Sequence, residues 1–147
     1  MLMSRASRLA IEALVELADL SPQEWMTAEE LARATTGDHA FLQQILNRPV
    51  REGIAHSKKG RGGGYQLARN PRNLRLRAVI DGIDGRDGRR CMLDSTPCDG
   101  SRRCRLEPTW HPIRDHLLFL LESETIQSVA ERSRGAVDRF ELSDLDG

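Results

Sequence analysis

The chain has 147 residues, with 22 basic and 22 acidic side chains and therefore a formal net charge of zero. This balance argues against a protein that holds nucleic acid by its overall charge alone. No apolar run reaches the roughly 18 residues of a membrane span, and no signal-peptide pattern follows Met1, so we expect a cytoplasmic protein that makes no membrane contact.

The first three predicted helices are separated by short polar turns. The first extends from about Ser4 to Asp19 and ends before Pro22. The second begins at Thr27, which forms a capping box with Glu30, and a third begins after Asp38, a good N-cap. Two short helices joined by a four-residue turn fit a helix-turn-helix.

The third helix has an apolar face and a polar face. Its polar side carries Gln43, Gln44 and Asn47, and His39 and Ala40 lie at its start. Amide side chains carry both a donor and an acceptor, so they can read base edges in the major groove of DNA. An ordinary solvated helix face is the alternative interpretation.

A proline interrupts the pattern of the third helix near its end. Pro49 lacks a backbone donor, and its ring collides with the preceding turn of a helix. We therefore expect a kink or an early end of the third helix there.

A basic, glycine-rich hairpin is predicted directly after these helices. Residues 53–59 and 65–67 form two short strands around residues 60–64. The tip of this hairpin carries the basic side chains and the slim backbone that could enter a minor groove, at Lys58, Lys59, Arg61, Gly62 and Gly63. The pattern predicts the wing of a winged helix, and a plain β-turn is the alternative.

Positive charge is concentrated around this hairpin. From position 48 to position 77, Glu52 is the only acid. The basic residues there are Arg48, Arg51, Lys58, Lys59, Arg61, Arg69, Arg72, Arg75 and Arg77. In a neutral chain, one strongly basic segment indicates a surface for nucleic-acid phosphates, although a solvated loop is possible on charge alone.

The second half of the chain is predicted to contain three helices. Residues 74–83 form a short helix, residues 106–122 a long one and residues 125–132 a last one. The long helix has a wide apolar stripe made of Leu106, Trp110, Ile113, Leu117, Leu120 and Leu121. Because this stripe lies beyond the winged-helix core, its simplest use is packing against a second copy, which gives a homodimer.

These elements predict a mainly α-helical fold with a small β-hairpin: a winged helix-turn-helix followed by a long dimerisation helix. The predicted units are a DNA-binding domain over residues 1–83 and a cysteine-rich loop over residues 84–105. They are followed by a dimerisation helix and C-terminal helix over residues 106–134 and by a flexible acidic tail over residues 135–147.

All three cysteines lie in the polar loop, at Cys91, Cys98 and Cys104. In a reducing compartment this odd set argues against disulfides, and the spacing is longer than that of a zinc knuckle. Three thiolates could converge on one inorganic core and leave a fourth ligand position. Candidates for it are Glu107, His111, His116 or a residue of a second subunit, whereas three unligated cysteines are the alternative.

The order of these parts resembles the Rrf-type winged-helix transcriptional regulators, which include the iron–sulfur cluster regulator and the nitric-oxide-sensing repressor. The resemblance covers Met3 to about Ser133. Its most specific elements are the residues from Gly60 to Tyr65 and the three-cysteine loop. The recognition helix of the family is also resembled by residues 42–44 followed by Arg48, and the exit from that helix by residues 51–54.

The resemblance implies a homodimer that represses or activates promoters. It also implies a 2Fe–2S or 4Fe–4S cluster on Cys91, Cys98 and Cys104, with Glu107 where the iron–sulfur cluster regulator has a histidine ligand. This sequence departs from the family pattern at Glu107, at Pro49 and in the six residues between Cys91 and Cys98.

The resulting hypothesis is a DNA-binding regulator whose iron–sulfur cluster senses iron–sulfur status, redox state or nitric oxide. A zinc-stabilised or thiol-based redox regulator is the first alternative, and a small iron–sulfur carrier protein is the second. An enzyme is not expected, because no nucleophile lies beside a base and the histidines His39, His56, His111 and His116 are scattered.

Overall fold

Helices surround one antiparallel hairpin in the computed structural model, which describes residues 3–85, Leu106 and residues 109–143, with side chains as far as Gly135. The elements are α1 Arg5–Ala18, α2 Ala28–Ala34, α3 His39–Arg51, β1 Ala55–Lys58, β2 Gly64–Leu67, a 3-10 helix Pro71–Asn73, α4 Leu76–Asp84, α5 Trp110–Ser123 and α6 Ile126–Ser143. The predicted fold class is confirmed. None of these helices combines the length and the apolar character that a membrane crossing requires.

The helix starts follow the capping residues that the sequence predicts. Thr27 Oγ1 accepts from the Glu30 backbone N–H at 3.2 Å, and the Glu30 carboxylate accepts from the Thr27 N–H at 2.7 Å. The second of these bonds holds the pKa of the Glu30 carboxyl below its usual value. Asp38 caps α3 by accepting from the Phe41 N–H at 2.9 Å. Each such cap stabilises its helix by about 1 kcal/mol.

Of the two outcomes predicted at Pro49, an early end of α3 is wrong, and a kink stays a prediction. The helix includes Pro49 and continues to Arg51. The proline ring is fully buried, and the Pro49 carbonyl accepts from the Ile54 N–H at 2.8 Å. Pro49 lies only two residues before the end, so the chain loses one helical hydrogen bond there, and burial of the ring offsets that loss.

The hydrophobic core forms around α1, which packs against α3, α4 and α6. The α1 side chains Leu9, Ala13, Leu14 and Leu17 are buried there, together with Leu31, Leu42, Leu46 and Val79 from the following helices. Helix α6 closes the same core, since Ile126 is 0 % exposed and Ala130 is 1 % exposed. The core therefore includes residues from both ends of the described chain.

Two backbone hydrogen bonds fix the start of α6 beside the start of α4. The Ile126 N–H donates to the Leu74 carbonyl at 2.8 Å, and the Leu76 N–H donates to the Glu124 carbonyl at 3.0 Å. The starts of α4 and α6 are therefore adjacent, although the cysteine-bearing stretch and α5 lie between them in the sequence.

The boundaries of the last two helices differ from those predicted. Helix α5 begins at Trp110 rather than at position 106, and Pro108 favours this later start because the residue before a proline disfavours helical geometry. Helix α6 continues to Ser143, so the predicted end near Arg132 is wrong, whereas the predicted flexibility of the tail over residues 135–147 stays a prediction. The predicted loop over residues 84–105 lies outside the described residues from position 86 onwards.

Candidate nucleic-acid interface

The turn between α2 and α3 is held against α1. The Glu12 carboxylate accepts from the Thr36 N–H at 3.1 Å and from the Thr36 hydroxyl at 2.8 Å. The next residue, Gly37, lies so close to Leu9 that an added Cβ would be 2.4 Å from a Leu9 methyl carbon. These contacts fix the direction in which α3 leaves the turn.

The side chains predicted to read bases lie together on the outer face of α3. His39, Ala40, Gln43, Gln44 and Asn47 are all exposed, whereas the opposite face of α3 is buried in the core. Donors and acceptors on an exposed helix face have the arrangement that major-groove recognition requires. Their contact with bases remains a prediction.

The wing follows α3 as predicted, with β1 and β2 paired from Ala55↔Leu67 to Lys58↔Gly64. Its tip is closed by a hydrogen bond from the Gly63 N–H to the Gly60 carbonyl at 3.1 Å. Gly62 is exposed, but Gly63 is buried, and a Cβ there would be 2.2 Å from the Lys58 carbonyl oxygen. Gly63 thus has a clear role in closing the hairpin, in addition to the predicted DNA contact.

The wing is also joined to the residues that precede α2. The Tyr65 N–H donates to the Met26 carbonyl at 2.7 Å, and the Met26 N–H donates to the Tyr65 carbonyl at 3.0 Å. Gly64 has a φ of 138°, and a Cβ there would be 2.4 Å from the Met26 carbonyl oxygen. Only glycine allows β2 to lie this close, so the wing has a fixed position relative to the helix-turn-helix.

Two exposed cations next to this surface stack on aromatic rings, and the sequence pattern alone reveals neither contact. The Lys58 ammonium lies 5.7 Å from the ring centre of Trp25, and the Arg5 guanidinium lies 5.1 Å from that of Phe41. Such contacts contribute about 0.5–1 kcal/mol at exposed sites. They restrict the position of Lys58 on the wing and the position of Arg5, an α1 residue, beside the first turn of α3.

The basic side chains at the wing tip have no carboxylate neighbour in the described part of the chain. Lys58, Lys59 and Arg61 are exposed and form no salt bridge with a described acid. By contrast, Arg72 and Arg132 pair with Glu131 and Glu124. The wing charges are therefore available to an external anion.

The predicted cluster ligands Cys91, Cys98, Cys104 and Glu107 lie outside the described residues. Within the described part of the chain, no group of three His, Cys, Asp or Glu side chains could hold a metal. The buried indole nitrogen of Trp110 has no acceptor among the described atoms. Three thiolates are a donor set that suits iron–sulfur iron or zinc, so the chain has suitable ligands for such a group.

Helix α5 exposes large apolar side chains. Ile113 is 56 % exposed, Phe119 is 71 % exposed and Leu120 is 44 % exposed, and no α5 side chain is fully buried. Ile113 and Leu120 lie two helical turns apart on one side of α5, which favours contact with another molecule there.

Comparisons with known sequences give one consistent family. Residues 3–132 match the model of the Rrf2 family, described as iron-dependent transcriptional regulators. A putative rrf2-like HTH-type regulator of Rhodobacter capsulatus is 29 % identical, over 95 % of this chain and 99 % of its own length. The regulator IscR of Pectobacterium atrosepticum is 25 % identical, over 88 % of this chain and 79 % of its own.

Solved structures show the same fold. CymR of B. subtilis, titled the global cysteine regulator, superimposes with a TM-score of 0.71 at 21 % identity, over 88 % of this chain and 96 % of its own. IscR of T. potens superimposes with a TM-score of 0.70 at 19 % identity, over 90 % and 88 %. An oxidised form of Staphylococcus aureus CymR gives a TM-score of 0.70 at 21 % identity, over 88 % and 95 %.

Proposed function

Because this chain belongs to the Rrf2 family of transcriptional regulators, we propose that it binds promoter DNA as a homodimer under the control of an iron–sulfur cluster. Its family and relatives are DNA-binding regulators rather than enzymes. The observation that carries the DNA-binding part is the exposed basic wing, which forms no salt bridge with a described acid and is anchored through Met26 beside the exposed polar face of α3.

In the proposed complex, each protomer places α3 in a major groove and its wing on the adjacent backbone. Gln43, Gln44 and Asn47 supply the base-reading donors and acceptors, whereas Lys58, Lys59 and Arg61 contact phosphates or the minor groove. A two-fold dimer would engage two half-sites about 34 Å apart along the duplex. The operator is therefore expected to be palindromic.

The exposed face of α5 is the proposed dimer contact. Burying a phenylalanine or isoleucine side chain contributes about 1.5–3 kcal/mol, so Ile113, Phe119 and Leu120 together favour association with a second α5. Because these exposed apolar side chains are spread along α5, two copies of the helix can pack against each other symmetrically.

Phe119→Asp is expected to convert the dimer to a monomer, since a carboxylate would have to be buried without a partner. Light scattering coupled to gel filtration would measure the mass. Ser133→Asp is the control, because Ser133 is exposed on α6 rather than on α5 and its hydroxyl donates to a backbone carbonyl, that of Val129, at 3.0 Å. A Phe119→Asp protein that remains dimeric would place the contact elsewhere.

The proposed cluster ligands are the thiolates of Cys91, Cys98 and Cys104, with Glu107, His111, His116 or a partner residue as the fourth. When bound, the cluster would supply a centre that reacts with oxidants or nitric oxide. The family description as iron-dependent regulators supports this assignment. Spectroscopy of the purified protein would distinguish a 2Fe–2S from a 4Fe–4S cluster and would help to identify the fourth ligand.

One observation favours a second candidate mechanism. The CymR structures include an oxidised form, which fits a regulator whose thiols respond directly. Here the same three cysteines would be oxidised without iron, at sites made reactive by the neighbouring arginines. A zinc ion on these thiolates is a further form of this alternative.

Purification without air separates these mechanisms. If a cluster is bound, the protein should absorb broadly in the visible range and contain iron and sulfide in matching amounts. The Cys98→Ala variant should lose the absorption, the iron and the sulfide. Promoter footprints of the holo and apo proteins should differ by about 5- to 150-fold in affinity. The control is Ser95→Ala in the same stretch of sequence, which should behave as wild type.

A colourless, iron-free protein that binds its promoter at full strength would exclude the cluster. If a thiol oxidant then weakened promoter binding reversibly, the thiol mechanism would replace it. If zinc were present and chelation unfolded the protein, the role of the cysteines would be structural.

A further inference from the structure

Helix α4 ends in a junction that is bonded to the first turn of α1. The Asp84 carboxylate accepts from the Ser4 N–H at 3.0 Å and also from the Ser4 hydroxyl. Ser4 is itself the N-cap of α1, since its hydroxyl oxygen accepts from the Ser7 N–H at 3.0 Å. The last turn of α4 therefore has a fixed position beside α1.

The same junction is bonded to the recognition helix. A guanidinium nitrogen of Arg48, on α3, donates to the carbonyl of Ile83 in the last turn of α4. The last carbonyls of a helix lack partners within the helix, and cations are favoured there. Arg48 thus caps α4 from a position on α3 that is one turn after Gln44 and adjacent to Asn47.

The chain leaves this junction through a glycine with a left-handed backbone conformation. Gly85 is exposed, has a φ of 84° and has no atom within 4 Å of the place where a Cβ would lie. It precedes the stretch of sequence that carries Cys91, Cys98 and Cys104. A displacement there would be transmitted first to the carbonyl that Arg48 binds.

We propose that Arg48 is a positioning residue that couples the C-terminal end of α4 to the orientation of the recognition helix. When the end of α4 is in place, the bond to Ile83 holds the flank of α3; when it shifts, Arg48 loses its partner and α3 can reorient. The stimulus that displaces the end of α4 rests on the proposed function, whereas the coupling between α4 and α3 does not.

The neighbouring arginine of α3 provides a matched control. Arg51 is exposed like Arg48, but its guanidinium contacts only the Asn47 carbonyl of its own helix, at 3.4 Å. Arg48→Met and Arg51→Met remove the same charge from the same helix. Only the first also removes a link to α4.

The first test measures the promoter affinity of the holo and apo forms of each variant. Arg48→Met is expected to bring the holo-to-apo affinity ratio close to one while the visible spectrum stays that of wild type. Arg51→Met should keep the wild-type ratio. If Arg48 instead binds a phosphate, both forms would weaken equally and the salt dependence would fall by about one unit per contact, which would overturn the proposal.

The second test does not depend on the cluster, because energetic coupling between two sites is reciprocal. Hydrogen exchange of apo protein, free and saturated with promoter DNA, should show several-fold slower exchange at the amides of Ile83, Asp84 and Gly85 when DNA is bound. Arg48→Met should abolish this slowing, and Arg51→Met should preserve it.

Absence of slowing in the wild type would overturn the coupling even in a protein that binds a cluster. Slowing in a protein that is iron-free would retain the coupling and contradict only the proposed cluster. Arg48→Lys, which can still donate to a carbonyl, should behave closer to wild type and guards against a folding defect in Arg48→Met. Equal loss in Arg48→Met and Arg51→Met would also contradict the proposal.

Discussion

Replacing Lys58, Lys59 and Arg61 together by glutamine is expected to cause the largest loss of promoter affinity. A dimer carries two wings, so the substitution removes six charges that have no described carboxylate partner. Each phosphate contact contributes about 0.9 to the slope of log affinity against log salt, so the slope should decrease by up to about 5. At physiological salt this corresponds to a loss of roughly 100-fold or more, measured by fluorescence anisotropy over a salt series.

A control with the same change in net charge separates local contacts from overall charge. Arg72, Arg132 and Arg134 are exposed, but each is already paired with an acid, namely Glu131, Glu124 and Asp19. Their replacement by glutamine should change the slope by less than about one unit, since their charges are neutralised within the protein. Equal losses in the two triple variants would show that the wing is not the phosphate-binding surface.

Gly64→Ala is expected to detach the wing from the helix-turn-helix. The new Cβ would be 2.4 Å from the Met26 carbonyl oxygen at a φ of 138°, so the pairing of Tyr65 with Met26 cannot persist unchanged. Strain of this kind costs about 1–3 kcal/mol, and we expect that decrease in the free energy of unfolding. Promoter affinity should fall about tenfold or more, because the wing loses its fixed position.

Gly62→Ala is the matched control for Gly64→Ala. Gly62 also has a positive φ, of 73°, but no atom lies within 4 Å of an added Cβ. It should show only the cost of the left-handed backbone, about 1–2 kcal/mol. Urea unfolding and exchange of the Met26 amide distinguish the two variants. Rapid exchange at Met26 in both would show that the contact at Gly64 is not what anchors the wing.

Much of this interface could be predicted because its signals are local in sequence. The caps at Thr27 and Asp38, the polar face of α3 and the glycine-rich hairpin each depend on residues a few positions apart, and the structure contains all of them. Periodicity and turn chemistry encode such features directly.

The contacts that hold these parts together could not be predicted. Arg48 reaches Ile83, Met26 pairs with Tyr65, and Lys58 stacks on Trp25, across 35, 39 and 33 residues of sequence. No local pattern specifies such pairs, although the run of glycines at 62–64 indicates a close backbone approach of some kind.

The errors in helix length have a different origin. At Pro49 and Gly135 the intrinsic preferences oppose a helix, yet α3 and α6 continue through both positions. At Pro49 the burial of the ring against the core outweighs the lost hydrogen bond. Propensity alone cannot reveal this, because burial is set by the other helices.

The hydrogen bonds that join the start of α6 to Leu74 and Leu76 have a consequence for how such a protein can evolve. The two ends of the segment from Gly85 to Glu124 both lie beside α4, and the core on either side of it is joined by α6, which packs on α1. Its entry and exit lie at opposite ends of α4, which has nine residues and so spans about 13 Å. We expect that exchange of this segment between homologues would give chimeras that keep one base-reading helix and acquire a different stimulus together with a different α5, so that ligand chemistry would evolve with the dimer contact and apart from base preference.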